Sequence, residues 1–420
     1  MERTTCCVVG GGPAGMILGL LLARAGVEVT MLEKHGDFLR DFRGDTVHAS
    51  TLTLLDELGL GEEFATVPHR VLERVQVQLD SGLMPFGDLT RIPGPHKYIA
   101  LVPQWDFLDL LAKAGRAEPG FRLRTSTEVT GLLRHGRRVT GVRYRTPAGD
   151  TGELHADLVV GCDGRHSVVR QAAGLSAREF GAPMDVWWFR LPRHETDPEG
   201  GVGRFGAGHA VVLIDRGDYW QCGYLIRKGS DAELRAAGVQ LLRDRVSGLL
   251  PWLTDRVVAL QSLDEVALLT VQVNRLRRWS ANGLLCIGDA AHAMSPVAGV
   301  GINLAVQDAV AAARLLAGPL RRRTVTRRLL DRVQLRRWLP TAVTQAAQRL
   351  IQRGLLGPAL AGRLDVPTSA RLPLPLRVMR RFPRLQAVPA TLVGIGVLPE
   401  HAPAFARRTA SSRPGRVMEP

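Results

Sequence analysis

Three glycine-bearing turns contain the residues whose types and spacing could support chemistry. The first spans residues 10–15, Gly-Gly-Gly-Pro-Ala-Gly, and follows the apolar run Thr5–Val9. In such a G-x-G-x-x-G turn between strand and helix, Gly10 permits the tight turn, Gly12 lets backbone approach a pyrophosphate and Gly15 allows close helix packing. Free N–H groups and the helix dipole favour phosphates there. This pattern predicts binding of an adenine dinucleotide.

An acidic residue completes this first pattern. Glu33 lies eighteen residues after Gly15, at the end of a second apolar run, Val27–Leu32. A carboxylate there can accept hydrogen bonds from both ribose hydroxyls and disfavours a 2′-phosphate. A second G-x-G-x-x-G match at residues 201–206 is preceded by no buried strand and leads into a β-like run rather than a helix, so we interpret it as a flexible loop.

The other two turns also follow apolar runs. Residues 157–170 pass from Asp-Leu-Val-Val through Gly-Cys-Asp-Gly into a helical start, and residues 288–303 follow the run Leu284–Ile287. Taken alone, Asp163-Gly164 is typical of a turn and Arg170 of a solvated helix. We interpret His292, in the third turn, as a packing or hydrogen-bonding residue rather than a base or metal ligand.

The elements around these turns predict a doubly wound sheet. Residues 16–25 have a helical pattern that Gly26 ends, and the strand, turn, helix and second strand together have the size of the start of a βαβ unit. Short β-prone runs within residues 121–160 predict an antiparallel meander. Further β-like runs between residues 186 and 226 predict a second sheet, and residues 304–360 a long helical region.

Composition limits the classes of protein that fit. The chain has 420 residues with 45% hydrophobic and 23% charged, and a net charge of +15 carried almost wholly by arginine. This is a globular chain of two or three domains. The arginines at 321–323, 327, 328, 332, 336 and 337 predict a solvated helix face rather than a nucleic-acid surface, because no aromatic platform accompanies them.

Cysteine usage and the termini bear on location. The five cysteines do not pair evenly, and no C-x-x-C or H-E-x-x-H spacing predicts a metal site. The sequence has no secretory signal pattern and no uninterrupted apolar segment near the C-terminus long enough to cross a bilayer. We therefore expect a reduced, cytoplasmic protein without stable membrane insertion, without nucleic acid, and either monomeric or homodimeric.

The second and third turns resemble two signatures of the class A flavoprotein monooxygenases, the family of para-hydroxybenzoate hydroxylase. With the first turn they occur in the family's order, and the resemblance covers about residues 1–340. It implies an α/β fold: a Rossmann-like FAD-binding domain, a β-sheet substrate domain and C-terminal helices. It assigns residues 1–67, 99–175 and 278–345 to the FAD domain, 68–98 and 176–277 to the substrate domain, and 346–420 to a C-terminal segment.

The resemblance also implies roles for individual residues. Asp163-Gly164 would lie near the FAD pyrophosphate and the nicotinamide route, and Asp289 would accept from a ribityl hydroxyl. Residues 299–303 open a helix whose N–H groups would face the N1–C2=O side of the isoalloxazine, and Pro296 would line the ring. The predicted FAD-binding residues are Gly10, Gly12, Pro13, Ala14, Gly15, Glu33, Lys34, Arg43, Gln104, Asp163, Gly164, Gly288, Asp289, Pro296, Gly299, Gly301, Ile302 and Asn303.

The implied activity is monooxygenation. NADPH or NADH would reduce the flavin, O₂ would form a C4a-hydroperoxide, and one oxygen atom would pass to a small aromatic or phenolic substrate, in secondary metabolism or aromatic catabolism. No catalytic side chain is assigned. Two alternatives stay open: a flavin-dependent dehydrogenase or tailoring oxidoreductase that inserts no oxygen, and a flavin-containing binding or regulatory protein.

Overall fold

The computed structural model describes residues 1–39, 46–79, 82–198, 200–206, 208–360 and 381–408. Arg43 lies outside them. Within these ranges the strands are β1 (Glu2–Val9), β2 (Val29–Leu32), β3 (Thr46–Val47), β4 (Arg70–Leu72), β5 (Arg74–Leu79), β6 (Gly82–Asp88), β7 (Ile99–Leu101), β8 (Phe121–Arg124), β9 (Glu128–His135), β10 (Arg138–Arg145), β11 (Thr151–Gly161), β12 (Ala177–Glu179), β13 (Met184–Pro192), β14 (Gly201–Gly206), β15 (His209–Asp215), β16 (Tyr219–Arg227), β17 (Ala267–Leu269), β18 (Asn274–Leu276), β19 (Ser280–Ala281) and β20 (Leu284–Cys286).

Helices connect and cover these strands. Within the same ranges the α-helices are α1 (Pro13–Arg24), α2 (Ala49–Glu57), α3 (Gly61–Ala65), α4 (Gln104–Arg116), α5 (Val168–Ala172), α6 (Asp231–Ala236), α7 (Val239–Leu249), α8 (Gly301–Arg321), α9 (Arg327–Ile351), α10 (Gly357–Leu360) and α11 (Ala387–Gly394).

The first sheet has the strand order β19-β20-β11-β1-β2-β8. Strands β20, β11, β1, β2 and β8 are parallel, as expected for a doubly wound sheet. The second half of strand β1 is continuously apolar because both of its faces are buried, and Cys6, Cys7 and Val8 are fully buried. Helix α1 packs against both α8 and α4. The predicted fold class is confirmed.

The meander predicted within residues 121–160 is confirmed for β9, β10 and β11, which pair antiparallel. Strand β8 differs, because it pairs parallel with β2 and extends the first sheet. The long strand β11 belongs to both arrangements: its first half pairs with β10 and its last three residues pair with β20. Strand β11 thus joins the meander to the parallel sheet whose strands lead into the three turns.

The second sheet has the order β17-β13-β16-β15-β14-β5-β6. Its core includes Trp187, Trp220 and Tyr224, each at most 2% exposed. The second glycine match, residues 201–206, forms β14 and pairs antiparallel with β15. It opens no helix, as the sequence predicts, whereas the predicted flexible loop was wrong because these residues form a strand. The predicted limits of the two domains stay a prediction.

The predicted helical region of residues 304–360 is divided. Helix α8 ends at Arg321 and α9 begins at Arg327, because Arg323 adopts a left-handed φ of 54° that breaks the hydrogen-bond ladder. Among the described helices, the stretch 297–321 is long and apolar enough to span a membrane by length and composition. Since 78% of its apolar window is buried inside the protein, it is placed as a core helix.

Candidate functional site

The three turns meet at one edge of the first sheet. Parallel strands bring their carboxyl ends to the same side, and backbone hydrogen bonds join those ends. Gly10 N donates to Leu32 O (2.9 Å), Cys162 N donates to Val9 O (2.7 Å), and Ile287 N donates to Gly161 O (3.0 Å). Residues far apart in the chain are therefore fixed side by side where ligands of such folds bind.

The glycines of the first turn differ in their surroundings. Gly10 has φ +102°, and a Cβ there would lie 2.5 Å from the Cys162 carbonyl oxygen. A Cβ on Gly15 would lie 2.1 Å from the Gly10 carbonyl oxygen. A Cβ on Gly12 would meet nothing within 4 Å. Two of these glycines are thus required by packing, and the third borders open space at the helix N-terminus.

The N-terminus of α1 is suited to a phosphate. Gly12 is its N-cap, Pro13 occupies the first turn, and no side chain caps the helix. Ala14 and Gly15 are buried just behind this end. The unpaired N–H groups of the first turn and the positive end of the helix dipole therefore face the open space beside Gly12. These features fit a dinucleotide pyrophosphate.

Glu33 lies at the end of β2, and its carboxylate supports the first turn. Oε2 accepts from Gly11 N (2.8 Å) and Oε1 accepts from His35 N (3.0 Å). These two bonds fix the carboxylate at the strand end where the sequence pattern predicts a ribose-binding acid. Lys34 is exposed at the same strand end, and Gln104 is the first residue of α4.

The second turn is held by its own side chains. Asp163 accepts from Ser167 Oγ (2.5 Å) and from Val169 N (3.1 Å), while Ser167 caps α5. Burial raises the pKa of the Asp163 carboxyl above its usual value. Gly164 has φ +81°. The Asp163 side chain thus shapes the loop, and its carboxylate oxygens are engaged within it.

Two arginines connect the second turn to the third. Arg170 donates to the carbonyl oxygens of Arg165 (2.7 Å) and Ala290 (3.4 Å), so it is not the solvated residue that the sequence alone suggests. Arg165 Nη2 lies 3.6 Å from Asp289 Oδ2. Asp289 sits in the 3₁₀ turn Gly288–Ala290 with about a third of its side chain exposed. The Asp289 carboxylate is therefore accessible to a ligand, and the positive charge of Arg165 orients it.

The third turn leads into α8. Pro296 precedes the 3₁₀ turn Val297–Gly299, α8 begins at Gly301, and no side chain caps its N-terminus. Ile302 packs into the core. The Asn303 side chain accepts from Ser50 Oγ and Thr51 Oγ1, both at 2.8 Å. Asn303 therefore anchors the start of α8 to α2, which leaves backbone N–H groups as the ligand-facing donors.

A buried histidine fixes the carbonyl of the same turn. His48 Nε2 lies 3.2 Å from Gly299 O, and His48 Nδ1 lies 2.8 Å from Val393 O. Thr46 Oγ1 also donates to Gly299 O (3.1 Å). Burial lowers the pKa of His48 to about 4, so the ring is neutral at pH 7 and donates to only one of these two carbonyl oxygens at a time. His48 thereby links the turn to the C-terminal helix α11.

The predicted hydrogen-bonding role of His292 is confirmed. His292 Nε2 lies 2.5 Å from Asp308 Oδ2, Arg337 Nε donates to Asp308 Oδ1 (3.1 Å), and Gly288 N donates to Asp308 Oδ2 (3.1 Å). Burial raises the Asp308 pKa, but His292 and Arg337 outweigh it and hold that pKa below its usual value. Arg337 is buried, so the prediction that it belongs to a solvated face was wrong.

Sequence reasoning missed the residues that hold the third turn from outside. Thr46, His48, Ser50 and Thr51 lie about 250 residues before it and carry no motif of their own. Arg165 lies in the second turn, but the sequence pattern assigns it no role. Hydroxyl side chains near a helix start are ordinarily interpreted as caps, so only the folded structure identifies their distant partners.

The family model described as "FAD binding domain" matches residues 3–347. The chain belongs to this family. With the relatives below, this confirms the predicted class: an FAD-dependent monooxygenase of class A, and an enzyme. The match covers all three turns and the helices α1 and α8 that follow two of them.

Similar proteins refine this placement. The 6-methylpretetramide 4-monooxygenase of Streptomyces rimosus is 35% identical over 386 residues, which cover 90% of this chain and 92% of the relative. The dialkyldecalin synthase of Streptomyces rugosporus is 24% identical and covers 73% of this chain, which spans 63% of that relative. The anhydrotetracycline hydroxylase OxyS of Streptomyces rimosus has the same fold, with a TM-score of 0.73, 24% identity and coverage of 94% and 76%.

Proposed function

We propose that the protein hydroxylates an aromatic or phenolic small molecule of secondary metabolism, using O₂ and NADPH or NADH. One observation carries this proposal: the similarity to a protein named as a 6-methylpretetramide 4-monooxygenase extends over nearly the full length of both chains. When bound, FAD supplies the redox chemistry that takes reducing equivalents from the nicotinamide and activates O₂. The protein supplies binding, orientation and electrostatics.

We assign the FAD-binding role to the meeting point of the three turns. Residues 10–15 with the N-terminus of α1 would hold the pyrophosphate, and Glu33 the ribose hydroxyls. Lys34, Arg43, Gln104 and the Asp163-Gly164 turn stay predictions as further contacts. Asp289, accessible beside Arg165, would accept from a ribityl hydroxyl.

The start of α8 would bind the ring system electrostatically. Its uncapped N–H groups and positive dipole end lie in the turn that Thr46, His48, Ser50 and Thr51 hold in place. A fixed positive end favours an anionic reduced flavin and needs no reorganisation. We assign the substrate-facing side to the second sheet, within residues 68–98 and 176–277.

Isotope labelling tests the reaction. We expect 6-methylpretetramide, or another phenol from a substrate panel, to stimulate NAD(P)H oxidation by the holoprotein and to give a product that carries ¹⁸O from ¹⁸O₂. Product without label would instead support a non-oxygenating tailoring enzyme, an alternative kept because a relative is named as a synthase. Bound FAD with no turnover across the panel would contradict both and support a binding or regulatory protein.

A further inference from the structure

Helix α9 presents an apolar stripe to solvent. Leu335 is 79% exposed, Trp338 45% and Leu350 74%, and Leu339 and Val343 are also exposed. Their spacing of three, four and seven residues places them on one side of the helix. Large apolar side chains that are contiguous on a surface mark an interaction site more often than scattered ones.

The inward side of α9 already has its own partners, so the stripe is not a misplaced core face. Leu330 and Val333 pack into the first-sheet core, Arg337 bonds Asp308, and Gln345 donates to the carbonyl oxygens of Asn274 and Ala293. The helix is therefore amphipathic in an unusual sense: its buried side carries polar groups with specific partners, while its outer side carries leucine and tryptophan.

Arginines border the stripe at its N-terminal end. Arg328 and Arg332 line a surface groove of about 480 Å³ together with Leu335 and Trp338. The acidic residue of that groove, Asp331, is bonded to Ser280 Oγ at 2.5 Å. Guanidinium groups thus stand directly beside the exposed indole and leucine, an arrangement that suits an anionic head group next to an acyl chain.

A second group of arginines borders the stripe on its side. The guanidinium carbons of Arg178, Arg275 and Arg349 lie 5.3, 5.5 and 4.7 Å from the centroid of the Phe180 ring. Arg275 also lies 5.0 Å from the centroid of the Trp338 ring. Burial, and then the neighbouring charges of Arg178 and Arg349, lower the pKa of Arg275.

We propose that this surface, the α9 face, docks on an anionic phospholipid bilayer. The α9 face comprises the stripe and both arginine groups: Leu335, Trp338, Leu339, Val343, Leu350, Arg328, Arg332, Arg178, Arg275 and Arg349. The stripe enters the interface, and the arginines meet the phosphates. The net charge of +15 draws the whole molecule to such a surface. This inference is independent of the proposed reaction.

Charge also argues against a second copy as the occupant. In a two-fold symmetric contact the same patch faces itself, so the arginines around one stripe would approach those around the other. The described residues of the groove offer one carboxylate, Asp331, against two arginines, Arg328 and Arg332, so the groove keeps a net positive charge. A lipid surface supplies negative charge around an apolar interior and so complements both parts of the α9 face.

Vesicle co-sedimentation of the FAD-loaded protein tests the proposal. We expect binding to vesicles of phosphatidylcholine mixed with phosphatidylglycerol, weakening with added salt, and at least tenfold weaker binding to phosphatidylcholine alone. Leu335→Gln with Leu350→Gln should weaken anionic-vesicle binding by tenfold or more. Arg328→Gln with Arg332→Gln should weaken it by about fivefold for each arginine. Substrate turnover in solution should stay unchanged.

Matched controls separate this surface from general basicity. Leu83→Gln changes a leucine that is 63% exposed in the second sheet, and Arg122→Gln with Arg137→Gln removes the same charge from elsewhere. Both controls should bind vesicles as the parent does. The proposal is overturned if the parent protein does not bind anionic vesicles, if controls and α9-face variants lose binding equally, or if the Leu335/Leu350 variant instead dissociates a dimer in light scattering.

Discussion

At the scale of single residues, the glycines of the first turn can be tested separately. Gly12→Val adds a side chain where no atom lies within 4 Å, so the fold has no reason to change. The added methyl groups would occupy the space beside the N-terminus of α1 that the pyrophosphate needs. We expect flavin-poor protein whose apo form unfolds at the same temperature as apo parent, measured by absorbance near 450 nm and by calorimetry.

Gly131→Val is the matched control for this substitution. Gly131 lies in β9, and a Cβ there also meets nothing within 4 Å. The control should retain FAD. If the Gly12→Val variant retained full FAD occupancy, the assignment of the pyrophosphate to this turn would be wrong.

His48 should make stability depend on pH. Its pKa is about 4 when folded and 6.5 as the ordinary value, so the unfolded chain binds more protons between these limits. The contribution of His48 to the free energy of unfolding is therefore complete above pH 6.5. It is lost as the pH falls toward 4, by about 3 kcal/mol in total. Urea unfolding at pH 7 and pH 4.5 should show a smaller difference in His48→Gln than in the parent.

The exposed His135 supplies the comparison for this pH effect. His135→Gln should leave the difference between pH 7 and pH 4.5 as in the parent, because that ring is exposed to solvent. An unchanged pH difference in His48→Gln would mean that His48 titrates as an ordinary histidine.

At the scale of elements, one buried carboxylate ties the C-terminal segment to α9. Glu400 is 3% exposed and accepts from Arg336 Nε (2.5 Å) and Nη2 (3.0 Å). Glu400→Ala should cost about 2 kcal/mol, less than a fully buried pair, because Arg336 can turn to water. Hydrogen exchange should accelerate across residues 395–402, which follow α11.

The exposed pair of Arg143 and Glu153 calibrates that result. Both side chains are more than half exposed, and Arg143 Nε lies 3.3 Å from Glu153 Oε1. Glu153→Ala should therefore lower the free energy of unfolding by less than about 0.5 kcal/mol. Equal losses from Glu153→Ala and Glu400→Ala would show that Glu400 does not hold the segment.

Local patterns predicted the elements that contain their own signals. The strand, turn and helix of residues 5–25 and the meander around β10 follow from apolar runs and glycine turns, and the structure has them. The break between α8 and α9 follows a Gly318-Pro319 signal, but both of these residues lie inside α8, and the left-handed residue that ends the helix is Arg323. Asn303 bonds Ser50 and Thr51 across some 250 residues, a pairing that only tertiary packing decides.

At the scale of the whole molecule, the proposed FAD site draws on segments near residues 10, 33, 163, 289 and 300. Backbone hydrogen bonds join four of these segments at the sheet edge, and α2 holds the fifth. No single segment presents the complete set of groups. Binding FAD should therefore stabilise the entire fold rather than one part of it.

Flavin loading should accordingly raise the global stability in proportion to the logarithm of free FAD. At 100 times the dissociation constant the gain is about 2.7 kcal/mol if only the native state binds. Calorimetric scans of apo protein titrated with FAD should show one transition that moves to higher temperature, with no movement in Gly12→Val. Movement of only part of the transition would instead place the cofactor within one segment, because ligand binding stabilises only the cooperative units that contact it.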